Sequence, residues 1–470
     1  MEIQVNNLTS KLITDNPKIL EALHKKYSFK VPGYQYTPQY KRKVWDGTKS
    51  YFKKNGEFRT GLLHRIEEDL KLIGVPEKDL YLSGDPVTVD PMFWGNPESI
   101  LPVDKYEYKD FQRDAIYFAL DRKRCIVESP TSSGKSVMMA GLIKNLQEIQ
   151  VKKIVVLFRE KGILKQTYEF FKSCGIENLG INFGEGFIYG DVMLSTVQSI
   201  HKILDTHLYD AGALIIDEAH QFCKGETTIA AIEAFPNAYF RVAFTATAPT
   251  EKSEDIHGRM TLEGAFGEVY VTRTVTDLIE DGSIARPIIQ VVEFSPEITE
   301  SDKDLDYLSI YEKFVTTNTE RNNLITKIVS SIKSSGKPTK TLILCKDLQH
   351  LEILKSSLNA YSVEGKDSIE DRYSVIKDFL KDPNNPVLIG TNVLQTGISI
   401  HEITHMIDAR GLEGRVPTLQ GLGRGMRKSD GKHEFYFFDF YDKVPYMEDH
   451  SKKRIKHYKK LELEINYVKL

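Results

Sequence analysis

Short apolar runs recur along most of the chain at intervals that suit alternating strands and helices. "RCIVES" (124–129), "KIVVLF" (153–158), "DVMLST" (191–196), "ALIID" (213–217) and "RVAFTA" (241–246) have the length of strands, and longer helical stretches separate them. That alternation predicts an α/β domain built on a parallel sheet. A second series, "TLILC", "PVLIGT", "THMIDAR" and "FYFFDF", begins after "DGSIARPIIQVVEF". The neighbourhood of Pro287 therefore reads as a linker between two such domains, and a cleft between them is where chemistry is expected. Residues 1 to about 95 differ. Short alternating stretches, an amphipathic "LLHRIEEDLKLI" and the turn-rich "GDPVTVDPMFWGNPES" predict a small α+β accessory module. The expected layout is an accessory domain over 1–95, α/β domains over 96–285 and 286–445, and a basic helical tail over 446–470.

Composition narrows the class. A length of 470 residues supports about three domains, and 41% hydrophobic with 27% charged residues fits a soluble globular protein. No apolar run approaches the ~18 residues of a membrane span. "MEIQVNNLTSKLITDNPK" lacks the charged-then-apolar shape of a secretory signal. Cys125, Cys174, Cys223 and Cys345 lie far apart, which disfavours zinc and a disulfide framework and makes the cytoplasm the expected compartment. Net charge is −3, so global charge advertises no polyanion, but local charge does. Tyr36–Asn55 holds six basic residues against one acid, and Ser451–Lys460 holds six and none. Such runs are usually solvated faces. In the first, Tyr36, Tyr40, Trp45, Tyr51 and Phe52 interleave with the charges, and bases stack on rings while lysines track phosphates.

"CIVESPTSSGKS" (125–136) joins an apolar strand to a helical "SVMMAGLIKNL". This strand–loop–helix context suits a phosphate-cradling loop, although Ser129 stands where the usual leading glycine would be. Backbone N–H groups of Thr131, Ser132, Ser133 and Gly134 would surround phosphate oxygens. Lys135 would reach the β- and γ-phosphates and Ser136 would ligate Mg²⁺. Gly134, beside the lysine, matters more than the missing first glycine. "ALIIDEAH" then places Asp217 and Glu218 at the carboxyl end of a strand, where parallel sheets present ligand-binding groups. Asp217 would hold Mg²⁺ and Glu218 would orient or deprotonate the attacking water. The expected cofactors are ATP and Mg²⁺, and the expected reaction is nucleotide hydrolysis.

With both motifs placed, the chain resembles the superfamily-2 helicases, and further matches follow in order over about residues 106–427. "YKDFQRDAI" resembles the adenine-reading Q motif, with Gln112 on the base edge. "FREKGILKQT" and "LSTVQSI" resemble strand-contacting elements, implicating Arg159, Thr196 and Gln198. "FTATA" resembles the coupling motif, with Thr245 and Thr247 joined by His220 of "DEAH". In the second domain "IGTNVLQTGISI" resembles motif V, placing Thr391 near the strand and Gly397 near the nucleotide. "QGLGRGMR" resembles Q-x-x-G-R-x-x-R, which makes Gln420, Arg424 and Arg427 catalytic, the arginines as fingers. Ile398 and Ser399 argue against the DEAD-box RNA group. The start "YQYTPQYKRKVWDG" is similar to that of phage branch-migration helicases of the UvsW type, where Lys41, Arg42, Lys43 and Trp45 would hold duplex or junction DNA.

The resemblance implies two tandem RecA-like domains and an ATP-driven motor on branched DNA, with an RNA–DNA hybrid as a further candidate, acting as a monomer and away from membranes. A duplex translocase that does not unwind, or a nucleotide-gated binding protein without turnover, are the rival expectations.

Overall fold

The computed structural model describes residues 1–84, 100–184, 186–202, 204, 210–223, 225–252, 255–336, 338–384, 386–391, 400–413, 421–423, 425–429 and 431–469. Two compact units result. One comprises Met1–Ser129 with Gly134–Thr272, the other Pro130–Ser133 with Arg273–Leu470. Among the described residues no helix is long and apolar enough to cross a membrane.

The first unit begins with strands β1 (Glu2–Val5), β2 (Thr9–Ile13), β3 (Ser28–Lys30), β4 (Thr48–Ser50), β5 (Glu57–Arg59) and β6 (Tyr81–Gly84). Four of them form a sheet in the order β5-β2-β1-β6, and β3 pairs with β4. Alternation decides which face is covered. Ile3, Val5 and Leu12 point into a core with Phe52, Phe58, Ile66 and Leu70. Ile256 and Met260, from the helix Ile256–Phe266 of the following α/β part, close that same core. The accessory module is thus built onto its neighbour. At Gly61 the two backbones approach so closely that a Cβ would lie 2.0 Å from the Glu263 carbonyl oxygen. The buried Glu263 carboxylate pairs with Arg65 of the module and with Arg259.

The main sheet of this unit follows: β7 (Arg124–Glu128), β8 (Ile154–Phe158), β9 (Leu179–Phe183), β10 (Gly186–Ile188), β11 (Val192–Thr196), β12 (Ala213–Ile216), β13 (Phe240–Thr245) and β14 (Val269–Val271), in the order β10-β9-β11-β8-β12-β13-β7-β14. Its neighbours run parallel except β10 against β9. Both faces are covered, which is why these strands read as continuous apolar runs. Cys125 and Val127 face a core with Met138, Leu142 and Leu146 of the helix Lys135–Glu148, while Ile126 faces Leu262 and Phe266 on the other side. Register aligns the carboxyl ends, with Thr245 opposite Glu128 and Ile216 opposite Ala243.

The second unit carries β15 (Arg286–Phe294), β16 (Thr341–Leu344), β17 (Tyr361–Val363), β18 (Val387–Gly390), β19 (His405–Asp408), β20 (Glu434–Asp442) and β21 (Glu464–Val468). They form an all-parallel sheet in the order β17-β18-β16-β19-β20-β15-β21. The tail is more than the expected helix. After Met447–Lys460 it adds β21 beside β15, matching the alternation in "LEINYV". Its basic run is also two-faced. Ser451, Arg454, Ile455 and Tyr458 share one helical face and are buried. Arg454 donates to Asp439 at 2.9 Å, and the Tyr458 hydroxyl donates to the same carboxylate at 2.8 Å.

Candidate active site

The phosphate-type loop leaves β7 and enters the helix Lys135–Glu148 through Gly134, whose φ of 86° suits glycine. A Cβ there would lie 2.4 Å from Nε2 of Gln112. The amide is oriented from its other end, because Gln112 Oε1 accepts from the Lys109 backbone N–H at 3.0 Å. Gln112 therefore reaches the loop. Ser129 is fully buried. Its N–H donates to the Thr245 carbonyl at 2.9 Å and its hydroxyl accepts from Thr272 at 2.8 Å. Serine at this position ties the loop entrance to two neighbouring segments, so the absent glycine is not a defect. Lys135 Nζ donates to the Ser129 carbonyl at 3.1 Å. Ser136 sits half-buried in the first turn of the helix, while Thr131, Ser132 and Ser133 belong with the second unit, Ser132 at a left-handed φ of 71°.

The acids stand at the end of β12. The Asp217 N–H donates to the Leu157 carbonyl at 3.2 Å, and Asp217 Oδ1 accepts from the Glu218 N–H at 2.8 Å. Glu218 adopts φ 50°, ψ 52°, a left-handed conformation that is costly for a non-glycine residue and that turns the chain sharply after the strand. Its Oε2 is buried and accepts no hydrogen bond from the described residues. His220 Nδ1 lies 3.4 Å from that oxygen and 3.1 Å from the Thr245 hydroxyl. Thr245 Oγ1 also accepts from the Thr247 N–H at 3.2 Å. A polar chain thus runs from the acid pair to the end of β13. Thr247 Oγ1 has no partner among the described residues. Glu128, which the sequence does not single out, accepts from the Ala248 N–H at 3.2 Å and joins the ends of β7 and β13.

Electrostatics marks the acids as short of positive charge. Burial, then the neighbouring Glu218 charge, pushes the Asp217 carboxyl up to about 7, and Lys135 only partly opposes this. Burial pushes His220 down despite the pull of Glu218, so the imidazole is neutral at pH 7. Lys135, Asp217, Glu218, His220 and Thr245 are therefore one interacting set. A buried carboxylate with an unmet need for charge, beside a second carboxylate with an unused oxygen, fits a divalent cation.

The expected nucleic-acid contacts divide. Thr196 is buried and donates to Ser199 Oγ at 3.0 Å, whereas Gln198 is exposed. Arg159 is exposed, with Nη1 donating to the Gln221 carbonyl at 2.6 Å. Lys41, Arg42 and Lys43 are exposed, and Trp45 is half-buried with Nε1 donating to the Thr48 carbonyl at 2.8 Å. Tyr36 and Val44 flank the basic triplet at 75% and 76% exposure. In the second unit Thr391 is buried. Arg427 is half-buried and helps hold Lys432 down to about 8, after burial, which is the larger cause. Gly397, Gln420 and Arg424 lie outside the described residues.

Two family models match the chain. The family described as "Type III restriction enzyme, res subunit" matches residues 105–250, and the "Helicase conserved C-terminal domain" matches residues 320–429. The chain is similar to the ATP-dependent DNA helicase uvsW of Enterobacteria phage T4, 24% identical over 437 residues that span 88% of this chain and 85% of that protein. It is also similar to the DNA 3'-5' translocase XPB2 of Sulfurisphaera tokodaii, 21% identical over 363 residues, 70% of this chain and 80% of that one. Dbp5 of S. cerevisiae, solved with RNA and ADP BeF3, shares the fold at a TM-score of 0.54 and 14% identity, over 82% of this chain and 94% of that chain.

Proposed function

We propose, for a chain that belongs to the superfamily-2 helicases and is an ATP-dependent helicase, that it is a DNA motor which unwinds or branch-migrates forks, Holliday junctions, D-loops or R-loops in replication, recombination or repair. The observation that carries this reading is the basic and aromatic surface from Tyr36 to Trp45, mounted on a module whose core is closed by Ile256 and Met260 of the ATP-binding part. A nucleic-acid grip built into the nucleotide-binding unit would move with it. Likeness to the phage T4 helicase supports DNA as the substrate.

Lys135 would exchange its bond to the Ser129 carbonyl for the β- and γ-phosphates of ATP, and Gln112 would read the adenine edge. Ser136 and Asp217 would hold Mg²⁺, which supplies charge neutralisation at the γ-phosphate. The unused Oε2 of Glu218 would orient the attacking water and accept its proton. The His220–Thr245 link, with Thr247, would report the state of the acid pair to the sheet edge. Arg424 and Arg427 take, through the motif resemblance, the charge-stabilising role. Arg159 and Gln198, both exposed, are assigned to the tracked strand, whereas the buried Thr196 and Thr391 are not.

The test is a panel of ATPase and strand-displacement assays on forks, four-way junctions, linear duplex and RNA, with Lys41, Arg42 and Lys43 replaced by glutamine. Selective loss on junctions is expected, with a reduced salt dependence of binding. Equal loss on single-stranded DNA would refute the accessory role. The whole module cannot be deleted for this purpose, because removal would uncover Ile256 and Met260 and leave Glu263 without Arg65. A second reading, translocation along duplex without unwinding, is favoured by the likeness to the XPB2 translocase and the restriction-enzyme family match. Triplex displacement without strand displacement would establish it.

A further inference from the structure

At the opposite edge of the same sheet, the amino ends of β7 and β13 carry Arg124 and Arg241, which are paired in register. Beside them is a cavity of about 230 Å³ between the accessory module and the α/β part, lined also by Asn7, Arg59, Glu233 and Gly264. Arg241 is 1% exposed. Its Nη1 and Nη2 donate to the Ile232 and Phe235 carbonyls at 3.1 and 2.7 Å, but its buried Nε has no partner among the described residues. Arg124 donates to the Asn7 carbonyl at 2.6 Å. Arg59 pairs with Glu233. Three guanidinium groups therefore line the cavity with one carboxylate. The excess is felt by the groups themselves. Burial first, then Arg59, pushes Arg241 down to about 10, and burial, then Arg241, lowers Arg124.

Arg241 and Arg124 spend donors on backbone carbonyls, and only Arg59 meets an acid, so the cavity keeps an excess of positive charge. We infer that this cavity is a binding subsite for a phosphoryl anion. Planar guanidinium forks suit a tetrahedral oxyanion, and Glu233 acts as the placeholder that the anion displaces from Arg59. The volume admits one phosphoryl group with several waters at ~30 Å³ each. The site stands apart from Lys135 and Asp217, which lie at the carboxyl edge. Its occupant, free phosphate or the terminal phosphate of a nucleic-acid strand, would tie the accessory module more firmly to the ATP-binding part.

The probe is inorganic phosphate, titrated calorimetrically into the full chain at constant ionic strength set with chloride. The Lys135→Ala chain serves as background, so that the ATP-site loop contributes no phosphate ligand. One saturable site is expected. Arg59→Gln, at a partly exposed position that tolerates exchange, should weaken it at least tenfold, and Glu233→Gln should tighten it severalfold. A 5′-phosphorylated dinucleotide, run against its unphosphorylated twin, separates the two sources: binding with the same Arg59 dependence marks a strand end, and binding of inorganic phosphate alone marks free phosphate. Absence of saturable binding in the Lys135→Ala chain, or equal affinity in the Arg59→Gln and Glu233→Gln variants, would overturn the inference.

Discussion

Both units place aspartates at or near the carboxyl ends of parallel strands, and they treat them in opposite ways. In the second unit every one of three has a buried guanidinium. Asp408 takes Arg410 at 2.7 and 2.6 Å, Asp442 takes Arg321 at 2.8 and 3.2 Å, and Asp439 takes Arg454. In the first unit Asp217 accepts the Glu218 N–H, and the Lys135 charge opposes the effect of burial without overcoming it. The protonation follows. Burial opposes ionisation at Asp408, yet Arg410 overcomes it and holds that carboxyl below the usual range. At Asp439 burial outweighs Arg454, so pairing alone does not decide the titration. What differs at Asp217 is that no guanidinium among the described residues pairs with it. Matched acids here are scaffolding, and the acids without a guanidinium are the ones assigned above to the proposed Mg²⁺ and nucleotide.

The sharpest way to break that contrast is to change the groups of the candidate site. Lys135→Ala should abolish ATP hydrolysis on every nucleic-acid substrate. Glu218→Gln should cut kcat by ~10²–10⁴ with nucleotide binding retained, as measured by steady-state ATPase and equilibrium titration. Retained turnover in either variant would mean the unused oxygen and the lysine do not form the site.

Next in size is stability. Arg321→Met should cost ~3–5 kcal/mol by stranding Asp442 in the core, seen as an earlier urea transition. Asp217→Asn should leave that transition unmoved or later, because it removes an uncompensated charge. Equal destabilisation by the two would erase the distinction.

Protons sharpen it further. The folded-state pKa of Asp217 lies above its unfolded value, 3.8 against about 7. The folded chain therefore holds a proton that the unfolded chain releases, and the contribution of this group to stability is present below pH 4 and lost as pH rises through 7. Binding of Mg²⁺ and nucleotide near pH 7 should accordingly release up to one proton, read as a buffer-dependent calorimetric enthalpy. Asp217→Asn should abolish the release.

The smallest effect is expected at Ser129→Gly, which restores the usual loop residue but removes the hydroxyl that accepts from Thr272. Stability should fall by ~0.5–1.5 kcal/mol, with ATPase changed less than severalfold.

The parts of this architecture that were readable in the sequence are those written locally. Strands buried on both faces announce themselves as unbroken apolar runs, and a loop between such a run and a helix places Gly134 and Lys135 without further help. Gln112 was singled out by the resemblance of a short, contiguous motif, and its amide lies beside Gly134. Asp217 and Glu218 could be placed because parallel strands end on one edge. What escaped depends on segments distant in sequence. No local pattern says that Ile256 and Met260 complete a core begun at Ile3, or that Glu263 waits for Arg65. Thr196 was expected to face a nucleic acid, and its hydroxyl turns inward to Ser199 because β11 is buried along its whole length. The tail misled through counting. Six basic residues in a row of ten suggest a solvated face, but helical spacing sends Arg454 and Tyr458 inward to Asp439. A reading by period rather than by composition would have found them.

The shared core between the first sheet and the helix Ile256–Phe266 also bears on how such proteins can be rebuilt. An appendage joined by a linker can be exchanged between motors as a cassette, and its specificity travels with it. This one cannot, because the helix that completes it is already part of the engine. A chimaera meant to borrow its substrate preference would have to import Ile256, Met260 and Glu263 along with the first eighty residues, and natural recombination at residue 95 would meet the same obstacle.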